Sequence, residues 1–220
     1  MSRAVVLLSA GLDSSYNLFR ANRELDVVLA LTFNYGQKAA KKEIARAKTL
    51  CERLAIPHQV VELPWFKDFT KTSLVGSQKI PTGKDISIDD MERSNETKKA
   101  VWVPNRNGIL LNIAAGFAEG LNAEFVIPGF NIEEAATFPD NSQDYMNALD
   151  RGFSFSTQNH VRVKCFSTTM NKTQIVKEAV KLEVPLKDLW PCYFANDQWC
   201  GECESCQRFS RAVREAGVKL

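Results

Sequence analysis

An apolar run at residues 4–8 empties into a short turn of small and hydroxyl-bearing residues, Ser9-Ala10-Gly11-Leu12-Asp13-Ser14-Ser15, which feeds a predicted helix over residues 14–22. A buried strand that ends in such a turn at a helix start is a device for holding phosphate. The N–H groups of the first helical turn have no intrahelical acceptor, and the helix dipole favours an anion there. Small residues let the backbone approach the anion, and the hydroxyls of Ser9, Ser14 and Ser15 add donors. A plainer reading stands beside this one, in which Asp13 or Ser14 caps the helix after a buried strand. The turn lacks the Gly-Lys-Ser/Thr ending of the Walker loop and the G-x-G-x-x-G of the dinucleotide fingerprint, so both commoner nucleotide loops are excluded.

Apolar runs alternate with amphipathic segments along the chain, the mark of an α/β protein with a parallel sheet. Strands are expected at residues 4–8, 27–33, 58–63 and 125–128, and helices at 14–22, 38–54, 107–121 and 172–182. The helix over 107–121 is apolar around most of its surface and is expected to lie between sheet and partner. Residues 70–99 carry Thr, Ser, Gly, Lys, Asp and Asn without a clear period, which reads as a lid, a binding loop or a surface insertion. At 220 residues the chain suits one large domain (1–189) with a small C-terminal appendage (190–220). A net charge of +2 argues against a dedicated nucleic-acid binder. The N-terminal apolar run is shorter than the roughly 7–15 residues of a signal-peptide core. No segment approaches the ~20 apolar residues of a membrane span. A cytoplasmic location is expected, and there the six cysteines call for an explanation other than disulfides.

Four of those cysteines, Cys192, Cys200, Cys203 and Cys206, form C-x7-C-x2-C-x2-C. A Cys-x2-Cys step lets a tight turn present two sulfurs to one ion, and four thiolates suit tetrahedral zinc. Iron–sulfur ligation and a disulfide pair are the competing readings. With all four positions filled by protein, a zinc ion has no open site and plays a structural part, pinning the C-terminal helix. Cys51 and Cys165 lie in apolar contexts and read as inert core thiols.

The loop at Ser9 resembles the Ser-Gly-Gly-x-Asp-Ser loop of the PP-loop ATP pyrophosphatases. Its combination with a four-cysteine module resembles the 7-cyano-7-deazaguanine synthase (QueC) family along nearly the whole chain. Phe33-Asn34-Tyr35-Gly36-Gln37, Val103-Pro104-Asn105-Arg106-Asn107, Phe138-Pro139-Asp140 and Trp190-Pro191-Cys192-Tyr193 carry the likeness in the family's order. The resemblance implies a doubly wound parallel sheet and an ATP-dependent carbon–nitrogen ligase. Such an enzyme adenylates the carboxylate of 7-carboxy-7-deazaguanine, then converts it with ammonia to amide and finally nitrile.

By the same resemblance, Leu8, Ser9, Ala10, Gly11, Leu12, Asp13, Ser14 and Ser15 hold the ATP phosphates. Thr32, Phe33, Tyr35, Gly36 and Gln37 form the adenine side. Asp13 is a magnesium ligand in that reading, and Arg106 and Lys172 neutralise charge on the leaving pyrophosphate. Gly129, Phe130, Asn131, Phe138, Pro139 and Asp140 are candidates for the deazapurine pocket, with ordinary core packing as the alternative for the two phenylalanines. A homodimer is implied as well.

Departures from the family pattern gather near this chemistry. Ala10 and Asn105 stand in place of glycine, Asn34 replaces Asp, and residues 134–142 differ from the usual Asp-x-x-Gly-Tyr-Pro-Asp-Cys-Arg. They leave two further expectations open. One is a paralogue that couples the deazaguanine carboxylate to a peptide or protein amine; the other is a zinc-stabilised nucleotide-binding protein without turnover.

Overall fold

The computed structural model describes residues 1–86, 88 and 99–220. Five parallel strands make one sheet in the order β3-β2-β1-β4-β5. They are β1 (Arg3–Leu7), β2 (Asp26–Asn34), β3 (His58–Glu62), β4 (Phe125–Ile127) and β5 (Arg162–Val163). The longer helices are α1 (Leu12–Glu24), α2 (Ala40–Leu54), α4 (Arg106–Gly120), α6 (Gln143–Ser156), α7 (Lys172–Lys181) and α8 (Glu204–Glu215); α3 (Phe66–Phe69) and α5 (Ile132–Ala135) are single turns.

Alternation along β1 sorts the two faces. Ala4, Val6 and Leu8 enter a core with Leu18 and Phe19 of α1, Leu50 of α2, Ile175 and Val176 of α7, and Phe209 and Val213 of α8. Val5 enters the opposite core with Leu111 and Ala114 of α4 and Met146 and Phe153 of α6. Helices therefore cover both faces, and the sheet is doubly wound. Strand order reverses between β1 and β4, so the loops that leave their C-terminal ends part and open a crevice, the usual ligand position in such sheets.

Beside the single turns α3 and α5, two elements escape the sequence reading. Strand β5 is two residues long and has no apolar run. Helix α6 has only Met146 and Phe153 fully buried. Residues 70–86 are tied into the fold through the Ser73 amide on the Ala100 carbonyl at 2.9 Å and the Lys38 amide on the Leu74 carbonyl at 2.9 Å. Thr82 pairs with Cys203 in an isolated antiparallel bridge. The rest of the expected 70–99 loop, Ser87 and residues 89–98, lies outside the described residues.

Candidate functional site

The turn after β1 is built as a cradle. Its Ser9 amide donates to Ser14 Oγ at 3.3 Å, and the two hydroxyls lie 3.1 Å apart. The N-cap of α1 is Gly11, in extended backbone and with no side-chain capping bond. Asp13 and Ser14 thus sit inside the first turn, and the capping alternative does not describe them. Ala10 has φ of +58°, in the left-handed region where a Cβ costs about 1–2 kcal/mol. Its side chain is fully buried, and its carbonyl accepts the Trp190 amide at 2.8 Å, tying the turn to the start of the cysteine module. Asn105, the other residue in place of glycine, also has positive φ, +49°.

Across the crevice, Gly129 follows β4. A Cβ there would lie 2.5 Å from the Ser14 amide nitrogen, so only glycine lets the two loops meet. Asn17 braces the same contact, donating to the Asp13 carbonyl at 2.8 Å and to Ser167 Oγ at 2.6 Å, while Ser167 donates to the Phe130 carbonyl.

A cavity of about 270 Å³ occupies this crevice. Leu8, Ser9, Gly11, Leu12, Asp13, Ser14, Thr32, Phe33, Tyr35 and Gln37 line it, as do Gly129, Phe130, Arg106 and Lys172. Ala10 and Ser15 lie buried beneath the turn, and Gly36 is exposed beyond Tyr35. Asn131 is fully buried and caps α5, accepting the Glu134 amide at 2.9 Å. A smaller second cavity adjoins, with Phe138 and Asp140 on its wall; Pro139 is exposed outside it. Trp102, which the sequence reading passed over, stacks on Phe138 with centroids 5.7 Å apart and planes 7° from parallel. The two cavities share Arg106, Glu134, Lys172 and Tyr193 as a common wall.

That wall is strongly charged. Lys172 is buried, and its Nζ donates to Asp13 Oδ2 at 2.7 Å and to Glu134 Oε1 at 2.8 Å. Burial opposes the ammonium charge, but the two carboxylates outweigh it and hold the pKa above the ordinary lysine value. Burial pushes the Asp13 carboxyl up against the pull of Lys172. Asp13 Oδ1 is buried without a hydrogen-bond partner among the described residues, which fits a hard cation that takes oxygen ligands. Glu134 lies 38 residues from Lys172 in sequence, and no local pattern announces the pair.

Arg106 is a partner of the Tyr35 phenol, whose pKa burial drives up. Gln37 organises the loop after β2, accepting the Tyr35 amide at 3.0 Å and donating to the Phe33 carbonyl at 2.9 Å and to Glu43 Oε2 at 2.8 Å. Burial raises the Glu43 carboxyl to about 7, the Gln37 bond opposing. Thr32 Oγ1 donates to the Leu8 carbonyl at 2.7 Å, so the His58 Nε2 at 2.8 Å must be the donor in their contact.

The sulfur atoms of Cys192, Cys200, Cys203 and Cys206 lie within 4.8 Å of one another. Cys200 and Cys206 are 3.9 Å apart, close to the roughly 3.8 Å edge of a tetrahedron with 2.3 Å metal–sulfur bonds. All six cysteines are free thiols, so the disulfide alternative does not describe the module. Amides of Phe194 and Cys200 point at Cys192 Sγ, and that of Cys203 at Cys200 Sγ, as suits thiolates gathered about a metal ion. Cys51 is buried, and burial pushes its thiol up to about 12, the inert state expected of it.

Solved structures share this architecture. NMN synthetase from Francisella tularensis superimposes with a TM-score of 0.51 at 14% identity, covering all of this chain and 78% of that one, a likeness of fold alone. Closer relatives are found by sequence. The 7-cyano-7-deazaguanine synthase of Bdellovibrio bacteriovorus is 55% identical over 220 residues, 99% of this chain and 95% of the relative. That of Carboxydothermus hydrogenoformans is 49% identical over 213 residues, 96% and 98% of the two chains. The family model described as "Queuosine biosynthesis protein QueC" matches residues 3–217. With the turn after β1, the crevice at the strand-order switch and the four-cysteine module in one chain, this protein belongs to the QueC family.

Proposed function

We propose that this protein is a 7-cyano-7-deazaguanine synthase, using ATP and ammonia to turn 7-carboxy-7-deazaguanine into the nitrile. The observation that carries the reading is the common wall of the two cavities, where Arg106 and Lys172 face both the phosphate-type turn and the pocket bearing Trp102 and Phe138. A nucleotide in the first cavity and a flat heterocycle in the second would bring their reacting ends together at that wall. The substrate's identity follows the relatives' name.

A carboxylate is a poor acyl donor because oxide is a poor leaving group, and transfer of AMP cures this. A carboxylate oxygen attacks the α-phosphorus of ATP and pyrophosphate departs. Ammonia then adds at the acyl carbon, loses one proton, and AMP leaves with that oxygen to give the amide. In a second round the amide oxygen attacks another ATP, and loss of AMP and the remaining N–H protons leaves the nitrile. The turn from Ser9 to Ser15 presents N–H and hydroxyl donors to the phosphates, while Arg106 and Lys172 offset charge growing on the pyrophosphate. Carboxylate Glu134 holds Lys172 in place as phosphates come and go. Thr32, Phe33, Tyr35 and Gln37 frame the adenine, and Trp102 with Phe138 offers the deazapurine a stacking surface.

Asp13 fits a magnesium ion held jointly with the ATP phosphates, which supplies charge neutralisation there. The four cysteines fit zinc, which cross-links residues 190–220 and has no open position for chemistry. Among the described residues no helix is long and apolar enough to cross a membrane. A cytoplasmic homodimer is the working form we assign, open to light scattering and cell fractionation. Incubation with ATP, magnesium, 7-carboxy-7-deazaguanine and ammonia, read by mass spectrometry, tests the function: nitrile and AMP are expected, and AMP-free reaction mixtures contradict it.

A further inference from the structure

Lys172 is gripped twice, at its ammonium and at its backbone. Its amide, the first of α7, donates to Glu133 Oε1 at 2.8 Å. Helix α7 has no acidic residue in its own first turn, so Glu133, reaching over from α5, supplies the negative charge that a helix N-terminus favours. The next residue, Glu134, holds the Lys172 ammonium. One single-turn helix thus fixes both ends of the lysine.

Glu133 is itself held from the far side. Its other oxygen, Oε2, takes an ion pair from Arg211, and Arg208 Nη1 lies 3.6 Å from it. Both arginines belong to α8, whose N-cap is Cys203, one of the four clustered cysteines. The Glu133 side chain is 19% exposed and those of Arg208 and Arg211 13% and 17%, so these contacts are shielded from the screening that empties a surface ion pair of its effect. A continuous run of bonded groups therefore leads from Cys203 through α8 and Glu133 to Lys172 and on to Asp13.

We propose that Glu133 is a positioning residue that transmits the state of the four-cysteine module to Lys172. The functional half of this inference rests on the role given to Lys172 under the proposed function; the contact itself does not. When the sulfurs hold a metal, α8 starts from a fixed point, its arginines hold Glu133, and Glu133 holds the start of α7. Loss of the metal frees the N-cap of α8, and the grip on the Lys172 backbone loosens.

Hydrogen exchange on the full-length, metal-loaded protein tests the link whatever the substrate is. Exchange at the Lys172 amide is expected to quicken about tenfold or more in Glu133→Ala, with the amides of β1 unchanged. Removing the metal with a chelator is expected to quicken the same amide in the wild type and to add nothing in Glu133→Ala. Glu133→Gln, of equal size and still able to accept one bond, shifts it in the same direction by less. Unchanged Lys172 exchange in either arm, or a rise shared equally by β1, overturns the link. In the activity arm Glu133→Ala lowers kcat roughly tenfold at a KM for ATP within twofold, as displacement of a charge-stabilising group does. An intact kcat beside a lowered Tm reduces Glu133 to a structural part and overturns the proposal. A wild type that exchanges as expected yet forms no nitrile refutes the proposed function instead.

Discussion

Replacing Lys172 with Met keeps the length of the apolar stem and deletes the charge that Asp13 and Glu134 share. Those two carboxylates bond to one nitrogen at 2.7 and 2.8 Å, and the lysine side chain is 7% exposed. Without the ammonium, the Asp13 side chain, 13% exposed, is left facing the Glu134 carboxylate. Removing one partner of a buried ion pair costs about 3–5 kcal/mol because the other stays buried and unpaired. For a chain of this size that corresponds to a fall in Tm of roughly 6–20 °C.

The loss carries a pH signature. Burial already holds the Asp13 pKa above its ordinary value with Lys172 present, and deleting Lys172 drives it higher. An acid with a raised folded pKa gains stability for the folded state as pH falls toward that value. Denaturant melts of Lys172→Met should therefore show the deficit large at pH 8 and shrinking toward pH 5. Asp13→Asn combined with Lys172→Met should recover at least half of it at pH 8. A deficit under about 1 kcal/mol, or one that does not depend on pH, would refute the reading of Lys172 as the neutraliser of Asp13 and Glu134.

Other perturbations probe separate parts of the site. Cys203→Ser should release the bound metal and lower Tm, measured by elemental analysis and calorimetry on the same sample; unchanged metal content contradicts the four-sulfur site. Trp102→Ala should raise the KM for the deazapurine acid roughly tenfold through loss of a stacking face, with the KM for ATP little changed in steady-state assays. Glu43, raised to about 7, gives the folded state a contribution present below the ordinary carboxylate range and lost as pH rises through 7. Melts of Glu43→Gln between pH 5 and pH 8 should be flatter than those of the wild type, and identical slopes would dismiss this carboxyl.

The strand–turn–helix at the N-terminus was legible because it is local: five apolar residues, a turn too small to be core, and a helix start lie within about twenty positions. The cysteine module was legible for the same reason, its ligands falling within fifteen residues. Helices α2 and α7 carried enough apolar periodicity, and α4 a long enough apolar run, to be read within a few residues of their ends. Strand β5 was not, since two residues have no period, and the Val163 amide donates to the Asp150 carboxylate, a bond that no pattern foretells.

At the site, Arg106 and Lys172 could be named from the motif, but their partners could not. Glu134 meets Lys172, and Trp102 meets Phe138, only through the fold, across 38 and 36 residues of chain. Ala10 is the instructive case. Its place in a glycine motif left the backbone there undecided; φ of +58° puts it in the left-handed region, yet the buried methyl packs in the core beneath the turn and offsets part of the strain. Phe130 and Asn131, expected in the substrate pocket, also have structural parts, one in the core and one capping α5.

In the proposed reaction one carboxylate is activated twice by transfer of AMP. Substrate carrying 18O in both carboxylate oxygens tests it most directly, with the nucleotide and base products weighed by mass spectrometry. Two AMP molecules per nitrile are expected, each bearing one 18O, because each oxygen leaves the carbon attached to phosphorus. Unlabelled AMP, or 18O released into water, would contradict it.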